Sequence, residues 1–280
     1  MKHAIDPKVD CVFKALLGSE ENSNLLIEFL NAMLGQQLAH PIKQVDILNP
    51  YNEREYLDDK LSIVDIKARD ELENIFQVEI QLSVFPSLPA RILYTWADIY
   101  SQQLKSGQNY RELKPTYSIW LLNGRLYEDE NYLHYFKIQD DKGVSLVEHC
   151  HITVLELEKF HITTIEDNQQ RWLQFFKEGE TLDEKILPEW MDTHSMRQAM
   201  NTLKQFSEKD RQYFAYQARQ DYLRQQSCIQ EEREEAEQAK LQAEEERDEI
   251  KQVLNLARQE EQANIAEIQR LKALLNPSKS

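Results

Sequence analysis

The spacing of apolar residues predicts alternating helices and strands over residues 1 to 125. The segments DCVFKALLG and NSNLLIEFLNAMLGQQL carry apolar residues at helical spacing, and Gly35 is placed to end the second segment. IKQVDILNP, LSIVDIKAR and IFQVEIQL are typical of three short strands, the first ended at Asn49-Pro50. SLPARILYTWADIYSQQLKSG predicts a helix stopped by Gly107, and TYSIWLLN a buried strand. The order is therefore helix, three strands, helix, strand, which is an α/β pattern.

Residues 126 to 225 have a different pattern, which predicts an accessory region passing from α/β to helical. VEHCHITVLELEKF alternates like a strand, and NQQRWLQFFKEG and MRQAMNTLKQFSEKDRQYFAYQARQDYLRQQ are typical of helices. His149 and His151 are two residues apart in the predicted strand, which makes them weak candidates for metal ligands. No other spacing in this region is typical of a functional site.

Residues 226 to 276 predict one long charged helix with an imperfect heptad repeat. Two columns of residues recur every seven positions and form its seam. The first column is Ile229, Ala236, Ala243, Ile250, Ala257, Asn264 and Leu271, and the second is Leu254, Glu261, Ile268 and Leu275. Alanine buries little surface, so a coiled coil would be weak before Ile250 and firmer after it. The helix is either a stalk for a homodimer or higher oligomer, or a solvated single helix or frayed tail.

Composition and charge exclude some classes of protein. The 280 residues carry a net charge of −16, with 13 Lys and Arg against 17 Asp and Glu in residues 1 to 125. The acidity lies mostly beyond residue 125, so it argues only weakly against an N-terminal region that binds a polyanion. The cysteines Cys11, Cys150 and Cys228 have neither zinc spacing nor a disulfide framework, and no apolar stretch is long enough to span a membrane. We therefore expect a cytoplasmic protein without a membrane partner.

A pair of acidic residues stands out in the stretch LSIVDIKARDELENIFQVEIQL. If RDELEN forms a turn centred near Leu72, Asp65 lies opposite Glu79 in an antiparallel pair. Opposed like charges destabilise a sheet, and a divalent cation would remove that penalty. Carboxylate oxygens suit Mg²⁺ or Mn²⁺, whose usual companion is a phosphodiester. The alternative is that Lys67 and Arg69 neutralise the acids on an exposed strand face.

The same stretch resembles the metal-binding core of the PD-(D/E)XK nuclease superfamily. In that core an Asp on one strand is followed by (D/E)-x-K on the next, and here Asp65 is followed by Glu79-Ile80-Gln81. Gln stands where Lys is usual, a variant familiar in the family of recombination-promoting nucleases and transposases. DPKVDCVFKALLG is similar to that family's D-x-x-F-K segment, with Asp10, Phe13 and Lys14 in the matching positions. The likeness runs from about residue 6 to about residue 225.

The resemblance implies a restriction-endonuclease-like αβββαβ core with a mixed sheet, and a Mg²⁺-dependent DNA endonuclease linked to recombination and horizontal gene transfer. Asp65 and Glu79 would bind the metal, with the backbone carbonyl of Ile80 as a further ligand. Asp10 would either complete the site or cap its helix. Gln81 cannot act as a base near neutral pH but can orient a water molecule, and Lys67 is a possible substitute cation.

DNA contacts are assigned to basic residues around this pair. Lys14 would hold a phosphate or lie on the helix surface, and Arg91 would grip the DNA backbone. We expect a locally basic face made by Lys14, Lys67, Arg69 and Arg91, with most of the excess acid in the C-terminal helix. Two rival interpretations stay open. One is an inactive nuclease fold that acts as a DNA-binding or scaffold protein through its tail, and the other is a recombinase that joins as well as cuts DNA.

Overall fold

The computed structural model describes residues 1–48, 65–183 and 185–275. The chain forms two units, Met1–Asp221, called the N-terminal unit below, and Tyr222–Ser280, called the tail. The predicted strand end at Asn49-Pro50 and the first residues of the predicted strand at 61–64 lie outside the described residues. The domain boundaries near residues 125 and 225 stay a prediction.

The N-terminal unit alternates helices and strands in the predicted order. Its helices are α1 (Asp10–Leu17), α2 (Ser23–Leu34), α3 (Leu88–Ser101), α4 (Asn168–Glu178), α5 (His194–Glu208) and the start of α6 (Asp210–Leu275). Its strands are β1 (Val45–Leu48), β2 (Ile66–Asp70), β3 (Ile75–Gln81), β4 (Thr116–Leu122), β5 (Leu133–Phe136) and β6 (Cys150–Glu156).

The six strands form one mixed sheet in the order β1-β2-β3-β4-β6-β5. Strands β1, β2 and β3 are antiparallel neighbours, β3, β4 and β6 run parallel, and β5 closes the far edge antiparallel to β6. The predicted αβββαβ core with a mixed sheet is confirmed. Strand β6 comes from the predicted accessory region, but it pairs with β4, so it belongs to the same sheet.

Helix α3 covers the central strands with an apolar face. Leu88, Ile92 and Trp96 pack with Trp120 of β4 and Val154 of β6 in one buried cluster. The strands β4 and β6 are buried along their whole length, as expected for parallel strands inside a sheet. Strand β4 in turn pairs with β3, whose second half carries polar residues discussed below.

A second set of helices builds an aromatic core. Phe13 of α1 packs on Phe176 of α4, and Phe29 of α2 meets the rings of Trp172 and Phe176. Gly18 ends α1 where a Cβ atom would stand 2.8 Å from the Lys14 carbonyl oxygen and 3.3 Å from the Ile66 side chain. The absence of a side chain at Gly18 therefore lets α1 end directly against β2.

The predicted end of α3 at Gly107 is wrong, because the helix ends at Ser101. The side chain of Gln103 donates to the hydroxyl of Thr116 at 2.9 Å and accepts from the backbone N–H of Lys114 at 2.8 Å. These contacts tie the chain to the start of β4 before another helical turn can form. Gly107 itself has a φ of 85°, which is a turn conformation.

Candidate active site

The β2–β3 hairpin sets the register of the acidic pair. Its turn is organised by Asp70, whose Oδ1 accepts from the N–H groups of Leu72 and Asn74 at 2.9 and 2.8 Å. Ile66 pairs with Val78 and the ladder is antiparallel, so one step further places Asp65 opposite Glu79. This is the register that a turn centred near Leu72 predicts.

Backbone hydrogen bonds hold the two acids in place. The Asp65 N–H donates to Glu79 Oε1 at 2.9 Å, and the Ile80 N–H donates to Asp65 Oδ2 at 3.0 Å. Gln77, two residues along β3, donates its amide to the same Glu79 oxygen at 3.3 Å. Each carboxylate is thus fixed by the backbone of the opposite strand, which gives the pair a defined geometry before any ligand binds.

Burial makes this pair electrostatically unfavourable when both members are charged. Glu79 is only 4% exposed, and burial together with the nearby Asp65 charge raises its pKa to about 8. Burial also raises the pKa of Asp65, against the opposing effects of the Ile80 N–H and the Lys14 charge. Two buried carboxyl groups with raised pKa values favour an added proton or cation between them.

Lys14 is the positive charge that the structure brings to the pair. Its Nζ lies 3.2 Å from Asp65 Oδ1, while its side chain remains 40% exposed. The close approach of α1 to β2 at Gly18 makes this contact possible. The sequence assigns Lys14 to a phosphate contact or to the helix surface, and it contains no signal that this lysine meets Asp65.

Asp10 lies close enough that its charge contributes to the raised pKa of Asp65. Its Oδ1 accepts from the Arg219 side chain at 2.8 Å and from the Cys11 N–H at 2.9 Å. The interpretation of Asp10 as a helix cap is wrong, because Val9 occupies the cap position and Asp10 is the first helical residue. Arg219 was missed by sequence reasoning, since 209 positions separate it from its partner.

The remaining predicted residues differ in their distance from the pair. Gln81 ends β3 and donates its amide to the Ser83 carbonyl at 2.9 Å. Arg91 is exposed in the first turn of α3, with its guanidinium carbon 5.8 Å from the centre of the Trp120 ring, and its charge lowers the pKa of Glu79. Lys67 lies half-buried two residues from Asp65, opposite Gln77.

Arg69 does not join this group. It lies four residues from Asp65 along the strand, or about 13 Å. Its ion pairs run to Asp46 at 3.6 Å and to Glu73 at 3.0 Å, near the turn of the hairpin. These contacts do not support the alternative in which Arg69 neutralises the acidic pair.

The donor set at the pair consists of oxygen atoms. Within residues 1–48, 65–183 and 185–275, no group of three or more His, Cys, Asp and Glu side chains is arranged to hold a metal ion. Asp65 and Glu79 alone offer two carboxylates, which is the usual protein complement for Mg²⁺ at a phosphate site. His149 contacts the Tyr100 hydroxyl and His151 stacks on Tyr117, so each ring has a separate structural contact.

The αβββαβ core, with one acid directly before its second strand and an opposed acid on its third, defines a protein of the PD-(D/E)XK nuclease class. A family model of PD-(D/E)XK nuclease family transposases matches residues 7–233, and the chain belongs to this family. No curated protein and no solved structure matches the chain. Membership supports a nuclease role in mobile elements and implies DNA as the substrate.

Two further observations bear on partners. Among the described residues, no helix is long and apolar enough to cross a membrane. The expectation that the C-terminal helix holds most of the excess acid is wrong, because residues 222–280 carry nine Lys and Arg against 13 Asp and Glu. Residues 126–221 carry 11 against 19, so the larger excess belongs to the N-terminal unit.

Proposed function

We propose that this protein is a divalent-metal-dependent endonuclease that hydrolyses phosphodiester bonds of DNA during recombination or transposition. The observation that carries the proposal is the buried Asp65–Glu79 pair, whose raised pKa values favour a cation between two fixed carboxylates. A purely structural hairpin gains nothing from opposed acids, because they weaken strand pairing.

Asp65 and Glu79 would hold Mg²⁺, or Mn²⁺, with the Ile80 carbonyl as a further ligand. When bound, the metal polarises a phosphoryl oxygen and lowers the pKa of a bound water. Asp10 already holds Arg219 and the Cys11 N–H through Oδ1, so it would join through Oδ2. The two strand acids are therefore the primary ligands in this proposal.

Lys14 would supply the positive charge that a lysine at position 81 provides in the usual motif. Its Nζ sits beside Asp65 and its side chain is partly open to solvent, so a phosphate oxygen can reach it. Gln81 would orient water through its amide after releasing the Ser83 carbonyl. Lys67 and the exposed Arg91 would help to bind the DNA backbone, and Arg69 would contribute at the hairpin turn.

Nicking of supercoiled plasmid tests the proposal. The full-length protein should nick with Mg²⁺ and stop with EDTA, and Asp65→Asn and Glu79→Gln should each lose about a hundredfold or more in rate, because metal activation provides several kcal/mol of transition-state stabilisation. Asp46→Asn is the matched control, since it removes an exposed acid from neighbouring β1. Nicking that persists undiminished in Asp65→Asn or Glu79→Gln would overturn the assignment.

A non-cleaving DNA-binding protein is the second candidate. Gln81 favours this second candidate. At the position where a catalytic lysine is usual, it carries a neutral amide that donates a hydrogen bond to the Ser83 carbonyl. This candidate predicts a folded wild type that shifts DNA in a gel yet leaves plasmid intact with Mg²⁺ or Mn²⁺. Binding would then survive in Asp65→Asn.

A further inference from the structure

The second half of the tail exposes a regular apolar seam. From Ile250 onward the seam residues follow one another at steps of four and three, and the large ones are about half or more exposed. They are Ile250 (68%), Leu254 (49%), Ile268 (52%) and Leu271 (49%), with the smaller or polar Ala257, Glu261 and Asn264 between them. A single helix does not cover such a face, whereas a second helix at heptad spacing does.

The two edges of this seam carry opposite charge. One edge is basic, with exposed Lys251, Arg258 and Lys272 at seven-residue spacing and Ile265 between them. The other edge is acidic, with exposed Glu246, Glu260 and Glu267 and with Val253 between them. Contacts within the helix, such as Lys251 with Asp248 at 3.1 Å, are exposed pairs of little strength, so these edges remain able to recognise a partner.

We propose that the seam binds a second copy of this chain, as a parallel, in-register two-stranded coiled coil over residues 246–275. In a parallel pair the acidic edge of one helix faces the basic edge of the other. Glu246 then meets the partner's Lys251, and Glu267 meets the partner's Lys272. Both contacts occur twice because the pair is symmetric.

An antiparallel pair would place like charges together. Each acidic edge would face an acidic edge and each basic edge a basic one, which opposes association. Asn264 also fits the parallel arrangement, because two asparagines at one core position can hydrogen-bond to each other and fix the register. Glu261 faces its own copy in this arrangement and weakens it, so the preference for the parallel direction comes from the charged edges.

The pairing is confined to the end of the tail. Before Ile250, the second seam column carries Arg233, Lys240 and Arg247, which are exposed and would repel their own copies. The first column offers only Ala236 and Ala243 after Ile229. Repulsion between these charges and the small size of alanine thus disfavour pairing before Ile250.

Disulfide trapping in the full-length protein tests the direction of pairing. On a Cys228→Ser background, Leu254→Cys and Leu271→Cys should each crosslink to themselves under oxidation, since a parallel pair places identical seam residues face to face. An antiparallel pair sets one seam column against the other and would place Leu254 opposite the partner's Leu271, so it would crosslink only when the two variants are mixed. Cys228→Ser alone is the control, and sedimentation should give the mass of two chains. A monomer at tens of micromolar, or crosslinks only in the mixture, would overturn the proposal.

Charge reversal tests the edges separately. Glu246→Lys, Glu260→Lys and Glu267→Lys together should weaken self-association at least tenfold, because every edge contact becomes repulsive. Glu237→Lys, Glu244→Lys and Asp248→Lys make the same change in net charge outside the proposed contacts and should leave association near wild type. Equal weakening in both triple variants would count against the edge contacts. Neither measurement depends on nuclease activity.

Discussion

The sheet holds two buried glutamates whose surroundings are opposite. Glu156 at the end of β6 lies 2.6 Å from Lys159 Nζ, and both side chains are fully buried. The same carboxylate accepts from the N–H groups of Leu126 and Tyr127. Glu79 at the end of β3 faces the carboxylate of Asp65, and its pKa is raised to about 8.

The difference separates a structural acid from the acid that we propose as a metal ligand. Glu156 is surrounded by donors, so it fixes the loop after β4 and carries its charge without conflict. Glu79 is kept in an arrangement that costs stability in the absence of a cation. The same sheet satisfies one buried carboxylate completely and leaves the other opposed to a second acid, which supports the proposed cation site at Glu79.

The largest effect should come from breaking the structural pair. Lys159→Met would leave Glu156 buried without its cation and should lower the free energy of unfolding by about 3–5 kcal/mol. Urea denaturation measures this change, and the double variant with Glu156→Gln should recover part of it. Glu79→Gln in metal-free protein should not be destabilised at neutral pH. If Lys159→Met lowers the free energy of unfolding by less than about 1 kcal/mol, Glu156 does not depend on its ion pair and the contrast with Glu79 fails.

A smaller change per pH unit should appear in the pH dependence of stability. An unfolded glutamate titrates near 4.5 and the folded Glu79 near 8, so the folded state binds more protons in between. This stabilisation is present below about pH 4.5 and is lost as the pH rises toward 8, with a slope of at most about 1.4 kcal/mol per pH unit.

Thermal or urea unfolding in EDTA across this range measures the slope. Glu79→Gln has no carboxyl group to titrate at this position and should flatten the slope, while Asp46→Asn should keep it. A wild-type profile that rises from pH 5 to 8 and is unchanged in Glu79→Gln would show that the acidic pair carries no such strain.

The smallest effect on stability should come from the second lysine. Lys14 is 40% exposed, so Lys14→Met should cost less than about 1 kcal/mol of folding stability, in contrast to buried Lys159. Loss of the Lys14 charge should lower the cleavage rate about tenfold. It should also shift the pH–rate profile to higher pH, because Lys14 lowers the pKa of Asp65. Lys14→Arg should restore the profile in part. An unshifted pH–rate profile in Lys14→Met would show that Lys14 does not influence the ionisation of Asp65 during cleavage.

The sequence predicts the elements that depend on local pattern. Alternation and one turn place Asp65 opposite Glu79, since the turn bonds of Asp70 are made within five residues. It does not predict the end of α3, which Gln103 sets through contacts with β4, or the Arg219–Asp10 pair, which joins distant helices. The contact of Lys14 with Asp65 also depends on tertiary packing. A comparison of motifs therefore identifies Lys14 as a candidate site residue but does not identify Asp65 as its partner.

Gly18 shows how far mutational sensitivity can extend from the chemistry. Gly18 has no functional group, and alanine substitutions of the polar residues around the site would not test its role. Adding one methyl group there would push against the carbonyl of Lys14 and the side chain of Ile66. The geometry of the acidic pair therefore depends on an empty space at position 18, which lies against the residue that contacts Asp65 and the residue that follows it.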